Sequence, residues 1–460
     1  MAITTQCTIM LNIIMVDRLN IAQILELRDK AKSTLDKLIV DNHIYASEYN
    51  GWAGAYHSWF GRDSAIVTDL VCASVEYGGD SDLACRALGG LSRFAQWQGA
   101  KDSILTGESL GKLPHEIRNT FNQVDHIQHA AGTNQLPWFV DPLDGLLKNW
   151  DSADSTALWV ISMIRAHNIT DAKYSSNELL SLRAAAYWIV KNLNDFDGLA
   201  GFLGADCQVG RTFSGLHNQG WKDTVAIYQT VDGRPAVHPI KDVLVNAESW
   251  AALRELAVLF QDDDELSSKL SRTSDVLKAK FNSSSDGFLL ENGEYYAQAI
   301  DGLGHQLPQR AIDVGMCLWA NSDGKCVIET TNIDRVVEYI MSSDMFNPAA
   351  GIRNYAIGTA FNGGTNYHGS SHTYWPFAST MVARGLESMG YHDEAIRVST
   401  AVLQAISFLG SNIEMFTEES DGRLSPWHHP LLNQQSATEQ AWTAAAVYYN
   451  CTFLLADELS

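Results

Sequence analysis

The 460-residue chain is 46% hydrophobic and 19% charged, a balance that suits a folded enzyme with a sizeable core and excludes a disordered chain. Its formal net charge of -22 at pH 7 comes without a cluster of Lys or Arg, which excludes nucleic acid and anionic membrane as expected partners. The 7 Cys are odd in number, widely spaced and without a Cys-x-x-Cys pair, which argues against a disulfide scaffold or a zinc knuckle.

The stretch 7–16 is apolar, but it lacks a basic leader and a small-residue cleavage site, and Asp17 and Arg18 interrupt it. It reads as a frayed or packed N-terminal segment, not a secretion signal. No apolar run is long enough to span a bilayer, so a cytoplasmic protein is expected. Helix-period patterns then dominate, over 20–40, 63–77, 81–98, 154–167, 176–193, 242–260, 265–280, 309–320, 332–343, 372–389, 392–409 and 435–456. The first carries one apolar stripe of Ile21, Ile24, Leu25, Ala31, Leu35 and Leu38. A hairpin is expected over 285–290 and 294–299. Four short turns, at 77–82, 168–171, 261–265 and 390–394, end in acids that suit the start of a following helix, where they cap free N–H groups and oppose the helix dipole. Twelve helices in short-turn pairs suggest six hairpins closed into a ring. No Pro- or Gly-rich linker divides the chain, so one domain over 1–460, with its core at about 20–456, is expected.

Four of the irregular stretches between helices concentrate polar and aromatic residues, as functional loops do. Ser58-Trp59-Phe60-Gly61-Arg62-Asp63-Ser64 reads either as a helix cap or as an indole platform with Arg62 and Asp63 binding hydroxyls. Gly111-Lys112-Leu113-Pro114-His115-Glu116-Ile117-Arg118 offers a hydrogen-bonding cluster, and the adjacency of His115 and Glu116 makes a shared metal awkward. Asn218-Gln219-Gly220-Trp221-Lys222-Asp223-Thr224 packs amides, an indole, an ammonium and a carboxylate together, which no ordinary turn requires. In the fourth stretch Glu414 lies between apolar residues, whereas Glu418, Glu419 and Asp421 look solvated. A lone acid in an apolar run is either paired or tuned for catalysis. Nucleotide-binding glycine loops, Gly-x-Ser-x-Gly and His-Glu-x-x-His are absent. Carboxylate chemistry remains, such as glycosidic hydrolysis, where an inverting pair stands roughly 6.5–9.5 Å apart.

In this order the segments resemble the amylo-α-1,6-glucosidase-like glycosidases, a group that includes the glucosidase half of glycogen debranching enzymes and mannosylglycerate hydrolases. The matching residues are Trp59 with Gly61-Arg62-Asp63, Gly111-Lys112 with His115-Glu116 and Arg118, Asp154-Ser155-Thr156, and Asn218 through Thr224. Asp232-Gly233-Arg234, Pro239-Ile240, Tyr367-His368-Gly369-Ser370, Trp375-Pro376 and Gln440-Ala441-Trp442 follow. The resemblance implies an all-α, (α/α)6-barrel, exo-acting and inverting glycosidase, an α-glucosidase in the first reading. It assigns Asp223 as general acid and Glu414 as general base, with Glu418 and Glu439 as alternatives for the base. Trp59, Arg62 and Asp63 would grip the terminal sugar. His115, Glu116, Arg118, Asp154, Gln219, Trp221, Lys222, His368 and Trp375 would line the pocket. The expected partner is a carbohydrate, with no metal or organic cofactor. A small glycoside such as mannosylglycerate or glucosylglycerate is the alternative substrate, and a helical-barrel sugar epimerase is the alternative class. A general acid must keep its proton near neutral pH, so Lys222 is expected to point away from Asp223, toward another carboxylate or a sugar hydroxyl.

Overall fold

The computed structural model describes residues 19–48, 56–119, 137–225, 227–291, 293, 295–359, 367–429 and 434–458. The 7–16 stretch lies outside them. Among the described residues there are twelve α-helices: α1 Ile21–Leu38, α2 Gly61–Ser74, α3 Ser81–Phe94, α4 Ser155–Thr170, α5 Ser176–Asp195, α6 Val243–Leu259, α7 Asp264–Phe281, α8 Asp313–Met316, α9 Thr330–Ile340, α10 Pro376–Ser388, α11 His392–Leu409 and α12 Ala441–Asp457.

Two kinds of helix alternate. In α2 every residue is buried, and α4, α6, α10 and α12 come close to that. The long helices between them bury a single stripe: in α1 the buried residues are Ile24, Ala31, Thr34, Leu35 and Leu38. A helix apolar all round belongs inside other helices, and an amphipathic one belongs outside. The packing follows. Helix α2 lies on α4, α4 on α6, α6 on α8, α8 on α10, α10 on α12, and α12 on α2. Outside this circuit, α1 packs on α12, α3 on α2, α5 on α4, α7 on α6, α9 on α8 and α11 on α10. Each fully buried Leu, Val or Phe contributes about 1.5–3 kcal/mol to holding it.

Caps set the helix starts. Asn20 and Gln23 form a reciprocal capping box before α1, and Asp80 and Asp263 accept from the first-turn amides of α3 and α7. Asp171, expected to start a helix, instead ends α4 in the left-handed conformation, and Ser175 with Glu178 starts α5. Tyr391, with no side-chain cap bond, precedes α11, while Asp393 and Glu394 lie in its first turn. Ile21, placed in the α1 stripe by its spacing, is 50% exposed.

Three small antiparallel sheets lead into the inner helices. Trp59–Phe60, at the entrance to α2, pairs with Glu116–Asn119, which pairs in turn with Leu146–Asn149. Lys241–Asp242, before α6, pairs with Ala299–Ile300, and that strand with Gln306–Leu307. Thr373–Tyr374, just ahead of α10, pairs with Phe416–Glu418, and that strand with Leu424–Pro426. Of the hairpin expected over 285–290 and 294–299, the described residues show one bridge, between Leu289 and Tyr296, and Ala299–Ile300 pairs elsewhere. Away from these sheets, Asp69 of α2 pairs with Arg165 of α4 and Arg384 of α10 and accepts from Trp319 Nε1 at 2.9 Å. No helix among the described residues is long and apolar enough to cross a membrane.

Candidate active site

The loop carrying Asp223 is pinned at several points. Asn218 Nδ2 donates to the Thr224 carbonyl at 2.7 Å, closing the loop on itself. Gln219 Nε2 donates to the Leu203 carbonyl at 2.7 Å, and Arg62 donates to the Gly220 carbonyl at 2.8 Å. Trp221 Nε1 and Lys222 Nζ both donate to Asp313, at 2.8 and 2.5 Å. Lys222 therefore faces a carboxylate other than Asp223, one of the two partners expected for it. These bonds also put Gln219, Trp221 and Lys222 in the wall behind Asp223, with their polar atoms engaged by protein.

Asp223 itself keeps a quarter of its side chain exposed. One oxygen is 3.6 Å from Arg62 Nη1 and the other 3.8 Å from His368 Nδ1. Burial lifts its pKa to about 6. Arg62 opposes the shift, while Asp154 and Glu116 add to it. Arg62, at the start of α2, is shared: its Nε donates to Asp154 at 2.6 Å. Next to it, Asp63 is pushed to about 7 by burial; Arg62 opposes this, and Glu414 and Asp223 reinforce it. Gln440, just before α12, donates to Asp63 at 3.3 Å.

Glu414 follows α11 between the buried Ile413 and Met415. The Tyr367 hydroxyl donates to its Oε1, and the Ala437 amide donates to its Oε2 at 3.0 Å. Burial raises its pKa to about 7 against these two donors, with a further upward push from Asp223. Asp63, Asp223 and Glu414 thus form one electrostatically coupled set, all titrating near neutrality. Tyr56 shares a hydrogen bond with Tyr367, extending the chain from Glu414. The two alternative bases are occupied elsewhere: Glu418 by Arg353 at 2.5 Å and Tyr374, and Glu439 by Thr34 and Asn412.

Glu116 and Arg118 pair at 2.7 Å on the strand beside Phe60, and Arg118 lies over the Phe60 ring. His115 and His368 are buried, and burial with neighbouring cations holds both well below the usual histidine pKa, so both are neutral. His115 Nδ1 is buried without a hydrogen-bond partner among the described residues. His368 stacks on Trp375 with ring centroids 5.2 Å apart, and its Nδ1 lies 3.2 Å from the Thr224 hydroxyl. Trp375 Nε1 is also buried without a partner. Trp59 is placed differently from the expected platform. Its ring stacks with His43 and Trp97, at 4.2 and 5.0 Å, on the flank of α3. Successive strand residues face opposite ways, so Phe60, not Trp59, turns toward His115.

No protein-family profile and no curated protein matches the chain. Solved structures do. A GH63 mannosylglycerate hydrolase from Thermus thermophilus in complex with Tris has a TM-score of 0.58 at 14% identity, covering 93% of this chain and 100% of that one. Its complex with glucose also gives 0.58, at 15% identity over 92% and 99%. The chain shares the fold of a GH63 mannosylglycerate hydrolase. A second glycosidase has a TM-score of 0.56 at 12% identity, over 95% of this chain and 98% of that one. The likeness in fold is to solved glycosidases, one of them a mannosylglycerate hydrolase, a kind of enzyme inside the group the sequence resembles, and it does not single out the amylo-α-1,6-glucosidases.

Residue spacing alone did not point to Tyr56, Tyr367 or Asp313 as members of the site. Tyr367 stood beside His368 in a matching segment. Asp313 sits in an apolar run, Ala311-Ile312-Asp313-Val314, the same signal that singled out Glu414.

Proposed function

We propose that the protein is an inverting glycoside hydrolase built on an (α/α)6 barrel. Asp223 gives a proton to the leaving oxygen, and Glu414 activates the attacking water. The observation that carries this is the coupled set of carboxyl groups near neutrality, with different partners on its two principal members. Glu414 has a donor on each oxygen, which suits an acceptor of protons from water. Asp223 has one cation at 3.6 Å and an open side, which suits a group that holds and delivers a proton. Burial lifts Glu414 further than Asp223, the reverse of the order a simple acid–base pair would have. The donors on Glu414 argue for the base role despite this, and the pair titrates as one system.

Arg62, Asp63, Glu116 and the neutral His115 and His368 supply donors and acceptors for hydroxyl groups. Asp154 orients Arg62, while Trp221, Lys222 and Gln219 fix the loop of Asp223. Trp375 backs His368. The likeness to a mannosylglycerate hydrolase over the full length of that chain favours a small glycoside over a branched glucan. Asp223→Asn and Glu414→Gln are each expected to lower kcat by several orders of magnitude, on a panel of glycosylglycerates, maltose and isomaltose. NMR of the first-formed anomer is expected to show inversion. Near-full activity in either variant, or retention, would remove the assignment.

A further inference from the structure

The geometry points to a transition-metal site formed by Cys207, His217 and His238, with Zn2+ the best-matched ion. The sulfur and one ring nitrogen from each histidine lie within 4.8 Å of one another. Three separate pieces of chain supply them. Cys207 ends the single turn Ala205–Cys207, His217 lies six positions before Asp223, and His238 stands just ahead of Pro239. The Nε2 atoms of the two histidines are 3.1 Å apart, with the rings at 78°. Two imidazoles on one tetrahedral zinc, each about 2.0–2.1 Å from it, have nitrogens roughly 3.3 Å apart. Only a small opening is needed to admit the ion.

The surroundings prepare the ligands. Asp206 lies 2.8 and 3.0 Å from His217 Nδ1. It therefore holds the proton on Nδ1 and leaves the Nε2 lone pair aimed at His238, the carboxylate–histidine arrangement common behind bound metals. His238 Nδ1 has the Gly204 amide at 3.1 Å and the Phe202 carbonyl at 3.4 Å. With Nδ1 accepting from Gly204, His238 Nε2 carries the proton and donates to His217. With Nδ1–H donating to Phe202, Nε2 is a ligand, so metal binding selects the second tautomer. Cys207 Sγ lies 3.7 Å from Asp206, and a free thiol keeps its proton near neutral pH. Binding therefore expels the thiol proton: the S–H bond breaks, the S–metal bond forms, and one proton goes to solvent. Cys207 is exposed, which gives the ion a route in and leaves its fourth position to water.

Sulfur with two imidazoles suits zinc and cobalt better than magnesium or calcium. The occupied site would staple the 204–207 turn, His217 and His238 together, bracketing the loop that carries Asp223. The test uses full-length, tag-free, metal-stripped protein and needs no substrate. One equivalent of Co2+ is expected to bind with a thiolate-to-cobalt charge-transfer band that Zn2+ abolishes. Zinc is expected to release about one proton and to raise Tm. Cys207→Ser, on an exposed position, should remove the band, and Asp206→Asn should weaken zinc binding by about 10- to 100-fold. Cys85→Ser, at another exposed thiol, should leave both unchanged. The proposal is overturned if wild-type protein shows no saturable micromolar binding, or if Cys207→Ser combined with His238→Ala binds as wild type does.

Discussion

Glu414 accepts from a phenol and an amide, and the phenol is the adjustable part. Burial holds the Tyr367 hydroxyl well above the usual phenol range, so it stays a donor across the working pH range. Its bond stabilises the Glu414 carboxylate and lowers that group's pKa. Tyr367→Phe removes this donor and should raise the Glu414 pKa. With Glu414 at about 7 and Asp223 at about 6, the alkaline limb of kcat/KM follows Glu414; it is then expected to move to higher pH by about one pH unit, the size of one hydrogen bond to a charge, with a lower maximum. The acidic limb, which follows Asp223, should move far less. A pH–rate profile identical to wild type would show that Tyr367 does not act through Glu414.

At the scale of elements, the start of α2 is set by close packing. A Cβ on Gly61 would lie 2.6 Å from the Pro114 carbonyl oxygen and 3.1 Å from Phe94 Cε1 and Ser155 Cβ. Gly61→Ala should cost about 1–3 kcal/mol in urea unfolding and displace Arg62 and Asp63 with the backbone. Stability equal to wild type would show that α2 can shift freely. The helices were legible because apolar residues repeat at helical spacing, in the long outer ones as a single stripe. Helix α8 was overread: its pattern ran over 309–320, but only Asp313–Met316 is α-helical. Beyond it, Leu318 and Trp319 turn back on Gly315 and Met316, and Asn321 Nδ2 satisfies their freed carbonyls. The site was legible where acids and amides crowd one loop, as from Asn218 to Thr224. It was not legible where partners meet across the fold. Nothing near Lys222 in the chain announces Asp313, and Cys207, His217 and His238 are too far apart in the chain to read as one cluster.

For the molecule as a whole, the raised carboxyl groups act on stability. Asp63, Asp223 and Glu414 titrate at about 7, 6 and 7 in the fold, against about 4 in an unfolded chain. Between these values the folded protein binds protons that the unfolded chain has released. Their stabilising contribution is therefore full below about pH 4 and is lost as pH rises through about 6 to 7. Depressed carboxyls such as Asp36 and Asp80 have the opposite dependence, but over a lower pH range. Tm is expected to fall from about pH 5.5 to pH 8. A variant combining Asp223→Asn with Glu414→Gln should flatten the fall and melt above wild type at pH 8. A wild-type Tm that rises over that interval would contradict this reading.

Helix α12 fills the gap between α10 and α2, and Gln440 at its start reaches Asp63. A ribosome releases the earlier helices first. Until residues 441–457 emerge, the flanks of α2 and α10 have no neighbour there, and Asp63 lacks its amide partner. The nascent chain thus carries an open apolar seam until these residues emerge, a surface suited to chaperones, and Asp63 gains its amide partner only once that seam closes.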